Sequence, residues 1–251
     1  GQNSFSKKLL SSKKPIVIIG ESALELKSGA YIFEEVKEFL KENNFINDSW
    51  NALNILTKNA STVGAIDLKF FNVKESNNFI FFDKLKNSEF KLVYLLGSDN
   101  LKFEKNDTFI IYQGSHGDRG AEIADVILPS PAYTEQNGLY INLEGRVQEC
   151  RKASYPPGNS LEDWKIFNLL LEKLGKEVKS KNYQAIKEAT LKNVVNFSQL
   201  DVLPKVKFNN GKKIENDFIN EKISIKKIDY YFSNSIARAS KTMSDCRSVV
   251  N

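Results

Sequence analysis

Residues 108–148 are the segment that most restricts how this chain can fold. They run TFIIYQGSHGDRGAEIADVILPSPAYTEQNGLYINLEGRVQ. A continuous apolar run of strand length opens the segment, a loop with three glycines follows, and a second apolar run ends at Pro129. An extended Tyr-rich stretch then leads to the sequence EGR at residues 144–146. The pattern predicts a buried strand, a Gly-rich loop and a short apolar segment, separated by specific turn residues.

Apolar runs of strand length alternate with amphipathic patterns before and within this segment. Residues 15–20 (PIVIIG) are continuous and β-branched, which is typical of a strand buried on both faces of a parallel sheet. Residues 31–40 place apolar side chains at helical spacing between Glu and Lys. Further strands are predicted at residues 79–82, 91–97 and 108–113. The order predicts an α/β fold with a doubly wound, mostly parallel sheet flanked by helices, whose ligands would bind at the carboxyl ends of the strands.

Two further helices are predicted from apolar spacing and capping residues. Residues 50–56 offer an apolar helical face, with Asp48 or Ser49 available as N-cap. Ser160 and Asp163 have the spacing of a capping box, and Gly175 is a natural helix stop. The apolar face of the helix between them would consist of Trp164, Phe167, Leu170, Leu171 and Leu174.

The 251 residues suffice for one large domain or two small ones, and composition predicts four parts. These are a basic N-terminal segment at 1–14, an α/β domain at 15–175, a Lys- and Asn-rich excursion or linker at 176–225, and a docked C-terminal segment at 226–251. The first part is basic, Ser-rich and free of acidic residues, which resembles what remains of a mitochondrial transit peptide. Gly1 is then either a processed end or a cut within a longer protein.

The net charge of +5 is unevenly distributed. Residues 176–251 hold 15 Lys and Arg against 8 Asp and Glu, so this part is basic. Such a region could meet nucleic acid or an acidic protein surface. Its Lys residues are scattered and match no nucleic-acid module, so we expect no nucleic-acid partner. No apolar run approaches the ~18 residues of a membrane span, so we expect no direct membrane span.

His116 is the single histidine of the chain and lies in the Gly-rich loop beside Asp118 and Arg119. A functional interpretation makes it an acid, a base or a ligand. One histidine without a Cys, His or carboxylate cluster cannot assemble a metal site, and it cannot supply a Ser-His-Asp arrangement by itself. The favoured interpretation is structural, with glycines that let the loop turn and an Asp and an Arg that fix it by hydrogen bonds.

The other polar candidates are isolated. Cys150 and Cys246 form no CxxC pair and no metal-ligand cluster, and we expect two independent reduced thiols. Residues 18–23 (IIGESA) have one glycine where a dinucleotide turn needs three. Glu135 and Glu144 are too far from other carboxylates to propose as a catalytic pair. We therefore nominate no catalytic residue, no cofactor-binding residue and no metal ligand.

Residues 124–148 (ADVILPSPAYTEQNGLYINLEGRVQ) resemble the signature of molybdopterin-dependent oxidoreductases. There a strand ending in ADVILP is followed by Thr-Glu, a Gly, an Asn and the sequence EGRxQ. The preceding residues 112–123 (YQGSHGDRGAEI) are similar to the C-terminal domain of the large peripheral iron–sulfur subunit of respiratory complex I. Other segments that resemble this subunit, in the same order, are residues 13–24, 50–68, 92–100, 156–175 and 228–246.

This resemblance implies an incomplete half of a molybdopterin oxidoreductase-like fold with a C-terminal extension. It implies a non-catalytic structural subunit of mitochondrial NADH:ubiquinone oxidoreductase, peripheral on the matrix side of the inner membrane. The expected partners are a Cys-rich N-terminal half of the same subunit on a separate chain and other subunits of the peripheral arm. Iron–sulfur clusters and FMN are expected on these partners, and no cofactor is expected in this chain.

Two other functions stay open beside the structural one. In an active molybdenum or tungsten oxidoreductase, Asp99 and Asp118 would contact pterin nucleotides at the strand ends. A soluble dinucleotide-binding module is the third alternative. In the favoured interpretation Arg119 and Arg146 serve internal hydrogen bonds. The glycines that would then serve backbone geometry are Gly114, Gly117, Gly120, Gly138 and Gly145.

Overall fold

The structure is a computed structural model, and it describes residues 3–70, 83–101, 103–194, 197, 199–204, 208, 211, 213, 217–222 and 229–250. Its helices are α1 (Ser4–Leu10), α2 (Glu21–Leu24), α3 (Gly29–Glu42), α4 (Thr62–Asp67), α5 (Arg119–Glu122), α6 (Asp163–Lys173), α7 (Tyr183–Asn193), α8 (Ser235–Ala239) and α9 (Lys241–Val250). Its strands are β1 (Val17–Gly20), β2 (Ile46–Asn47), β3 (Trp50–Asn51), β4 (Leu53–Leu56), β5 (Leu92–Leu96), β6 (Phe109–Gly114), β7 (Val126–Pro129), β8 (Gly138–Ile141) and β9 (Val147–Cys150).

The chain divides into two compact units, each built from three stretches of sequence. The first unit contains residues 1–70, 141–148 and 196–225, and the second contains residues 71–140, 149–195 and 226–251. The predicted boundary between residues 225 and 226 coincides with this division, those at residues 14 and 175 do not, and all three stay predictions. Parallel sheets with flanking helices are present, which confirms the predicted α/β class.

The first unit is built on a parallel pair of strands, β1 and β4, in which Val17 lies opposite Leu53. Helix α3 covers one face of this pair, as its apolar spacing predicts. The buried core consists of Ile19, Leu40, Phe45, Ala52 and Leu53. Helix α3 begins next to α2, and a Cβ added to Gly29 would lie 2.0 Å from the Leu24 carbonyl oxygen. Glycine at this position is therefore required by the close approach of two backbones.

The prediction of a helix at residues 50–56 is wrong, because these residues form β3 and β4. The Asn47 side chain accepts hydrogen bonds from the backbone N–H groups of Ser49 and Trp50, which makes the turn that begins β3. Trp50 Nε1 donates to the Pro15 carbonyl at 2.8 Å. Pairing with β1 provides hydrogen-bond partners for the backbone of β4. The spacing of apolar residues in a run this short fits either a strand or a helix.

The prediction that residues 15–20 are buried on both faces is also wrong. Ile19 points into the core and is 7% exposed, whereas Ile18 is 63% exposed. Ile16 is 61% exposed. One face of the β1–β4 pair is therefore covered by α3, and the opposite face exposes Ile16, Ile18 and Leu56 together with Asn54.

The second unit contains a three-stranded parallel sheet in the order β5-β6-β7. Leu95 lies opposite Tyr112, and Tyr112 lies opposite Ile127. The buried core of this sheet consists of Leu95, Ile110 and Tyr112. The predicted strands at 91–97 and 108–113 are confirmed, and the predicted strand at 79–82 lies outside the described residues.

A buried hydrogen-bond network attaches helix α6 to this sheet. Gln113 is fully buried, accepts a hydrogen bond from Tyr94 Oη and donates from Nε2 to Asp163 Oδ1 at 2.6 Å. Gln136 Nε2 donates to Asp163 Oδ2 at 3.1 Å. The Tyr94 ring also stacks on Phe167 of α6, with centroids 5.8 Å apart. Each polar group of the network has a hydrogen-bond partner. Burial of the network therefore does not incur the free-energy cost of unsatisfied polar groups.

The ends of α6 differ in part from the prediction. The helix stops before Gly175, whose φ of +65° confirms the predicted stop. The predicted capping box is wrong, because Ser160 Oγ donates to the Pro157 carbonyl and the N-cap is Glu162, whose side chain caps no backbone N–H and accepts from Trp164 Nε1 instead. The predicted apolar face is likewise not the buried one, since Ile166 is 6% exposed and Leu174 is 71% exposed.

The segments predicted as peripheral contain regular structure. Helix α7 lies inside the predicted excursion at 176–225 and begins at Asn182, whose side chain accepts from the Ala185 N–H at 2.9 Å. Helix α1 lies inside residues 1–14, and α8 and α9 lie inside residues 226–251.

Replacement of Gly29 by alanine should destabilise the first unit, because the new Cβ meets a backbone carbonyl that cannot rotate away. We expect a loss of about 1–3 kcal/mol in the free energy of opening, measured by hydrogen exchange of β1 and α3 amides. Gly20→Ala is the matched control, since a Cβ there meets nothing within 4 Å. Equal effects of the two variants would contradict the packing given for Gly29.

Candidate functional site

The carboxyl ends of β5, β6 and β7 form the edge of the second unit at which α/β proteins usually bind ligands. Strand β5 is followed by Gly97, which has a φ of +61°, a conformation that favours glycine. Strand β6 ends at Gly114 and continues into the loop that contains His116. Strand β7 ends at Pro129. We call this region the carboxyl edge.

Two glycines at the carboxyl edge are required by close neighbouring atoms rather than by backbone conformation. A Cβ on Gly114 would lie 2.2 Å from Tyr112 Oη, and a Cβ on Gly120 would lie 3.0 Å from the same ring and 2.8 Å from the Ser98 carbonyl oxygen. Tyr112 Oη donates to the His116 carbonyl at 2.9 Å, which fixes the loop over the ring. A Cβ on Gly117 would meet nothing within 4 Å, so no close approach requires this glycine.

Arg238 of helix α8 joins two carboxylates at the carboxyl edge. Its Nη2 lies 2.8 Å from Asp99 Oδ1, and its Nε donates to Asp118 Oδ2 at 2.5 Å. Its Nη1 donates to the Phe232 carbonyl at 3.2 Å. The three side chains are between 16% and 20% exposed. One guanidinium therefore holds the loop after β5, the loop after β6 and its own segment together.

The charges of this group shift three pKa values. Partial burial alone would raise the pKa of Asp118, but the hydrogen bond and charge of Arg238 and the Arg119 N–H outweigh burial and hold this pKa below its usual range. Burial opposes the charge of Arg238, yet the two carboxylates raise its pKa. Burial, and then the negative charges of Asp99 and Asp118, raise the pKa of Tyr112. The guanidinium and Asp118 are thus both ionised at neutral pH.

The loop residues predicted from sequence lie together as expected, with one difference. Asp118 Oδ1 accepts from the Arg119 N–H at 2.8 Å and caps helix α5. Ser115 Oγ lies 2.9 Å from His116 Nδ1. The Arg119 side chain is exposed, and the guanidinium that fixes Asp118 belongs to Arg238 instead. The sequence analysis missed Arg238 because it lies 120 residues from Asp118, in a Ser/Ala-rich stretch without a recognisable motif.

A cavity of about 290 Å³ lies at the ends of β6 and β7. Its wall is rich in hydroxyl groups and contains one imidazole and one carboxylate among the residues that the structure describes. The lining residues are Gly114, Ser115, His116, Pro129, Ser130, Ala132, Glu135, Pro157, Asn159 and Ser160.

A second polar cluster fixes helix α7 to strand β9. Lys187 Nζ lies 2.7 Å from Glu149 Oε2, and Tyr183 Oη donates to Glu149 Oε1 at 3.3 Å. Burial, together with the charge of Glu149 and its hydrogen bond, raises the pKa of Tyr183 to about 12. The hydrogen bond from Lys187 outweighs burial and lowers the pKa of Glu149. The cluster is a structural attachment between two elements.

Two residues of the first unit serve the geometry predicted for them. Gly145 has a φ of +85°, and Arg146 Nη1 donates to the Asp201 carbonyl at 2.7 Å. Cys150 is half-buried and Cys246 is exposed, and both thiols are free. Among the residues that the structure describes, no group of three His, Cys, Asp or Glu could hold a metal ion. The described helices include none that is long and apolar enough to cross a membrane.

Comparison with known proteins identifies relatives over nearly the whole chain. Residues 1–173 match the family described as Molybdopterin oxidoreductase. The NADH-ubiquinone oxidoreductase 75 kDa subunit of Reclinomonas americana is 38% identical over 254 residues, covering 99% of this chain and 36% of that protein. The mitochondrial NADH-ubiquinone oxidoreductase 78 kDa subunit of Candida albicans is 38% identical over 257 residues, covering 98% and 34%. A subunit of the NADH-quinone oxidoreductase of Rickettsia conorii is 36% identical over 247 residues, covering 98% and 35%.

These relatives confirm the resemblance noted for residues 112–148. The chain spans about a third of the length of the curated relatives it matches.

Replacement of Arg238 by alanine should release the C-terminal segment from the carboxyl edge, because two partly buried carboxylates lose their counter-charge. We expect amide exchange in residues 229–250 to become at least about 10-fold faster. Arg247→Ala is the control, since Arg247 and its partner Asp229 are 44% and 36% exposed. Unchanged exchange in Arg238→Ala would contradict the attachment.

Acid should weaken the same attachment. The lowered pKa of Asp118 means that its stabilisation is complete above the ordinary Asp pKa of about 3.9 and is lost as pH falls through the lower value. A dye on the exposed Cys246 thiol should therefore show constant fluorescence anisotropy from pH 7 to about pH 4 and falling anisotropy below that. Arg238→Ala should show low anisotropy throughout, and a wild-type transition near pH 6 would contradict the assignment.

Proposed function

Since the chain belongs to the Molybdopterin oxidoreductase family, we propose that it is a non-catalytic structural part of the peripheral arm of NADH:ubiquinone oxidoreductase. The names of its relatives support membership of this complex. In this role the chain supports the electron transfer of the complex, and the iron–sulfur clusters and FMN lie outside the residues described for it. The assembly lies on the matrix side of the mitochondrial inner membrane.

The observation that carries this proposal is the apolar sheet surface that the chain leaves open. In the first unit Ile16 and Ile18 are 61% and 63% exposed on the face opposite α3. In the second unit Leu92 and Phe109 are 54% and 45% exposed on neighbouring parallel strands. Parallel sheets are normally covered on both faces, and contiguous exposed apolar surface marks an interface. A subunit embedded among partners fits this surface better than an enzyme that works alone.

The second candidate function, an active molybdopterin-dependent oxidoreductase, requires a place for pterin nucleotides at the carboxyl edge. Asp99 and Asp118, the carboxylates expected to contact them, are both engaged by Arg238. The adjacent cavity of about 290 Å³ is at the lower limit of pockets for a single drug-sized ligand. The described residues of this edge therefore do not fit a pterin nucleotide, which favours the structural role.

The proposal is tested on the intact assembly, isolated through an affinity tag on this chain from the organism that encodes it. We expect mass spectrometry to identify a Cys-rich iron–sulfur chain and further subunits of an NADH dehydrogenase. We expect elemental analysis to give iron, with molybdenum and tungsten far below one atom per chain. Molybdenum or tungsten at one atom per chain would overturn the non-catalytic role. Isolation of the chain without any partner would overturn the structural role.

A charge on the open face of the first unit should prevent assembly without unfolding the unit. Ile18→Glu places a carboxylate at a position that is 63% exposed in the chain and apolar in the proposed interface, where an unpaired charge is costly. We expect the recovered assembly to fall at least about 10-fold, while amide protection of α3 stays within about threefold. Ser61→Glu adds the same charge at an exposed residue outside the sheet and should assemble normally. Normal assembly of Ile18→Glu would contradict the interface.

A further inference from the structure

We propose that the start of helix α3 is a docking site for a short peptide, and that residues 217–222 (DFINEK) occupy it as a displaceable internal ligand. We call these six residues the strap. The strap and α3 both belong to the first unit, and the site does not depend on the function proposed above. The peptide that fits this site has an aromatic residue and, three positions later, a carboxylate.

Ser28 provides the first reason, because its buried hydroxyl serves the strap rather than the helix. The residue is the N-cap of α3 and is 3% exposed. Its Oγ donates to the Ile219 carbonyl at 2.9 Å and accepts from the Ile219 N–H at 2.7 Å. An N-cap serine usually accepts from its own helix, but Ser28 Oγ caps no N–H of the described helix. Without the strap this hydroxyl would lose both bonds, so it favours another peptide backbone in the same place.

Glu221 provides the second reason, because it supplies a charge that α3 itself lacks. Its Oε1 accepts from the Lys27 N–H at 2.7 Å, just before the helix begins. Among the described residues of α3, the first turn contains no acidic side chain. Negative charge is favourable at this end of a helix, because the first N–H groups are unpaired and carry partial positive charge. The site therefore selects a carboxylate at this position.

The apolar contact of the strap is small, which makes the strap displaceable. The Phe218 ring meets the edge of the Tyr31 ring, with centroids 5.9 Å apart and planes at 62°. Phe218 nevertheless stays 64% exposed, and Ile219 stays 43% exposed. Segments that bury little apolar surface open at a low free-energy cost. The attachment therefore depends on the hydrogen bonds to residues 27 and 28 and on one ring contact.

These contacts together select a peptide over a free anion. An anion could accept from the Lys27 N–H, but it offers no donor to Ser28 Oγ. The backbone of one amino acid offers an N–H and a carbonyl at the spacing that Ser28 uses. The ring before that residue and the carboxylate after it then give the site its specificity.

Hydrogen exchange on the intact assembly tests the site. The double variant Phe218→Ala, Glu221→Ala should exchange the amides of residues 27–31 at least about fivefold faster, as the loss of one hydrogen bond predicts. The Leu40 amide, at the other end of α3, should stay within about twofold. The synthetic peptide DFINEK at about 10 mM should restore slow exchange at residues 27–31. The same peptide carrying Glu221→Ala should not restore it.

Asn220→Ala is the matched control, because Asn220 is exposed and lies in the strap without making any of the contacts described above. Its exchange should equal that of the wild type. Unchanged exchange in the double variant, failure of DFINEK to restore it, or equal restoration by the two peptides would overturn the proposal.

The wild-type assembly provides a measurement that needs no variant. Excess DFINEK should compete with the strap and make the Ile219 amide exchange at least about twofold faster. If the double variant also loses protection at Leu40, this competition decides. Faster exchange of Ile219 then supports the docking site, and unchanged exchange overturns it.

Discussion

The arrangement of the carboxyl edge depends on one guanidinium placed between two carboxylates. Asp99 and Asp118 belong to loops after neighbouring strands, and without Arg238 they would repel each other in a partly buried region. Arg238 supplies the opposite charge and also binds the Phe232 carbonyl of its own segment. Loss of one partner from a buried ionic group typically costs about 3–5 kcal/mol. The C-terminal segment is therefore part of the second unit rather than an appendage.

The same interaction occupies the edge at which α/β proteins usually bind ligands. Open α/β sheets offer backbone groups and side chains at the carboxyl ends of their strands. Here the chain's own Arg238 takes the two carboxylates, and Tyr112 occupies the space that Gly114 and Gly120 leave free. Exposed apolar side chains on both sheets complement this picture, because parallel strands are normally covered on both sides. The occupied carboxyl edge and the exposed apolar side chains together support the structural role proposed above.

Local sequence predicted the elements whose partners lie nearby. The strands at 91–97 and 108–113, the helix at 31–40 and the stop at Gly175 follow from apolar spacing and turn residues, and all are present. The helix predicted for residues 50–56 is wrong because pairing with β1 makes residues 53–56 a strand. The spacing of apolar residues along the sequence does not reveal this pairing. The capping box predicted at Ser160 is wrong because the Ser160 hydroxyl donates its hydrogen bond to the Pro157 carbonyl.

Only part of the candidate site could be predicted from the sequence, because several of its contacts join residues that are far apart in the chain. The Gly-rich loop was recognised from its composition, but the requirement for Gly114 comes from Tyr112, and that for Gly120 comes from the Ser98 carbonyl and the Tyr112 ring. Arg238 could not be assigned because contacts over 120 residues leave no local pattern. The hydroxyl-lined cavity combines residues from separate stretches of the chain, and none of them is unusual alone.

The most direct measurement of the central claim is an electron cryomicroscopy map of the isolated assembly at side-chain detail. The account predicts density for Arg238 between Asp99 and Asp118, and protein from a neighbouring chain against Ile16 and Ile18. Density for a pterin nucleotide at the carboxyl edge, with residues 229–250 displaced and the Ile18 face in solvent, would contradict it.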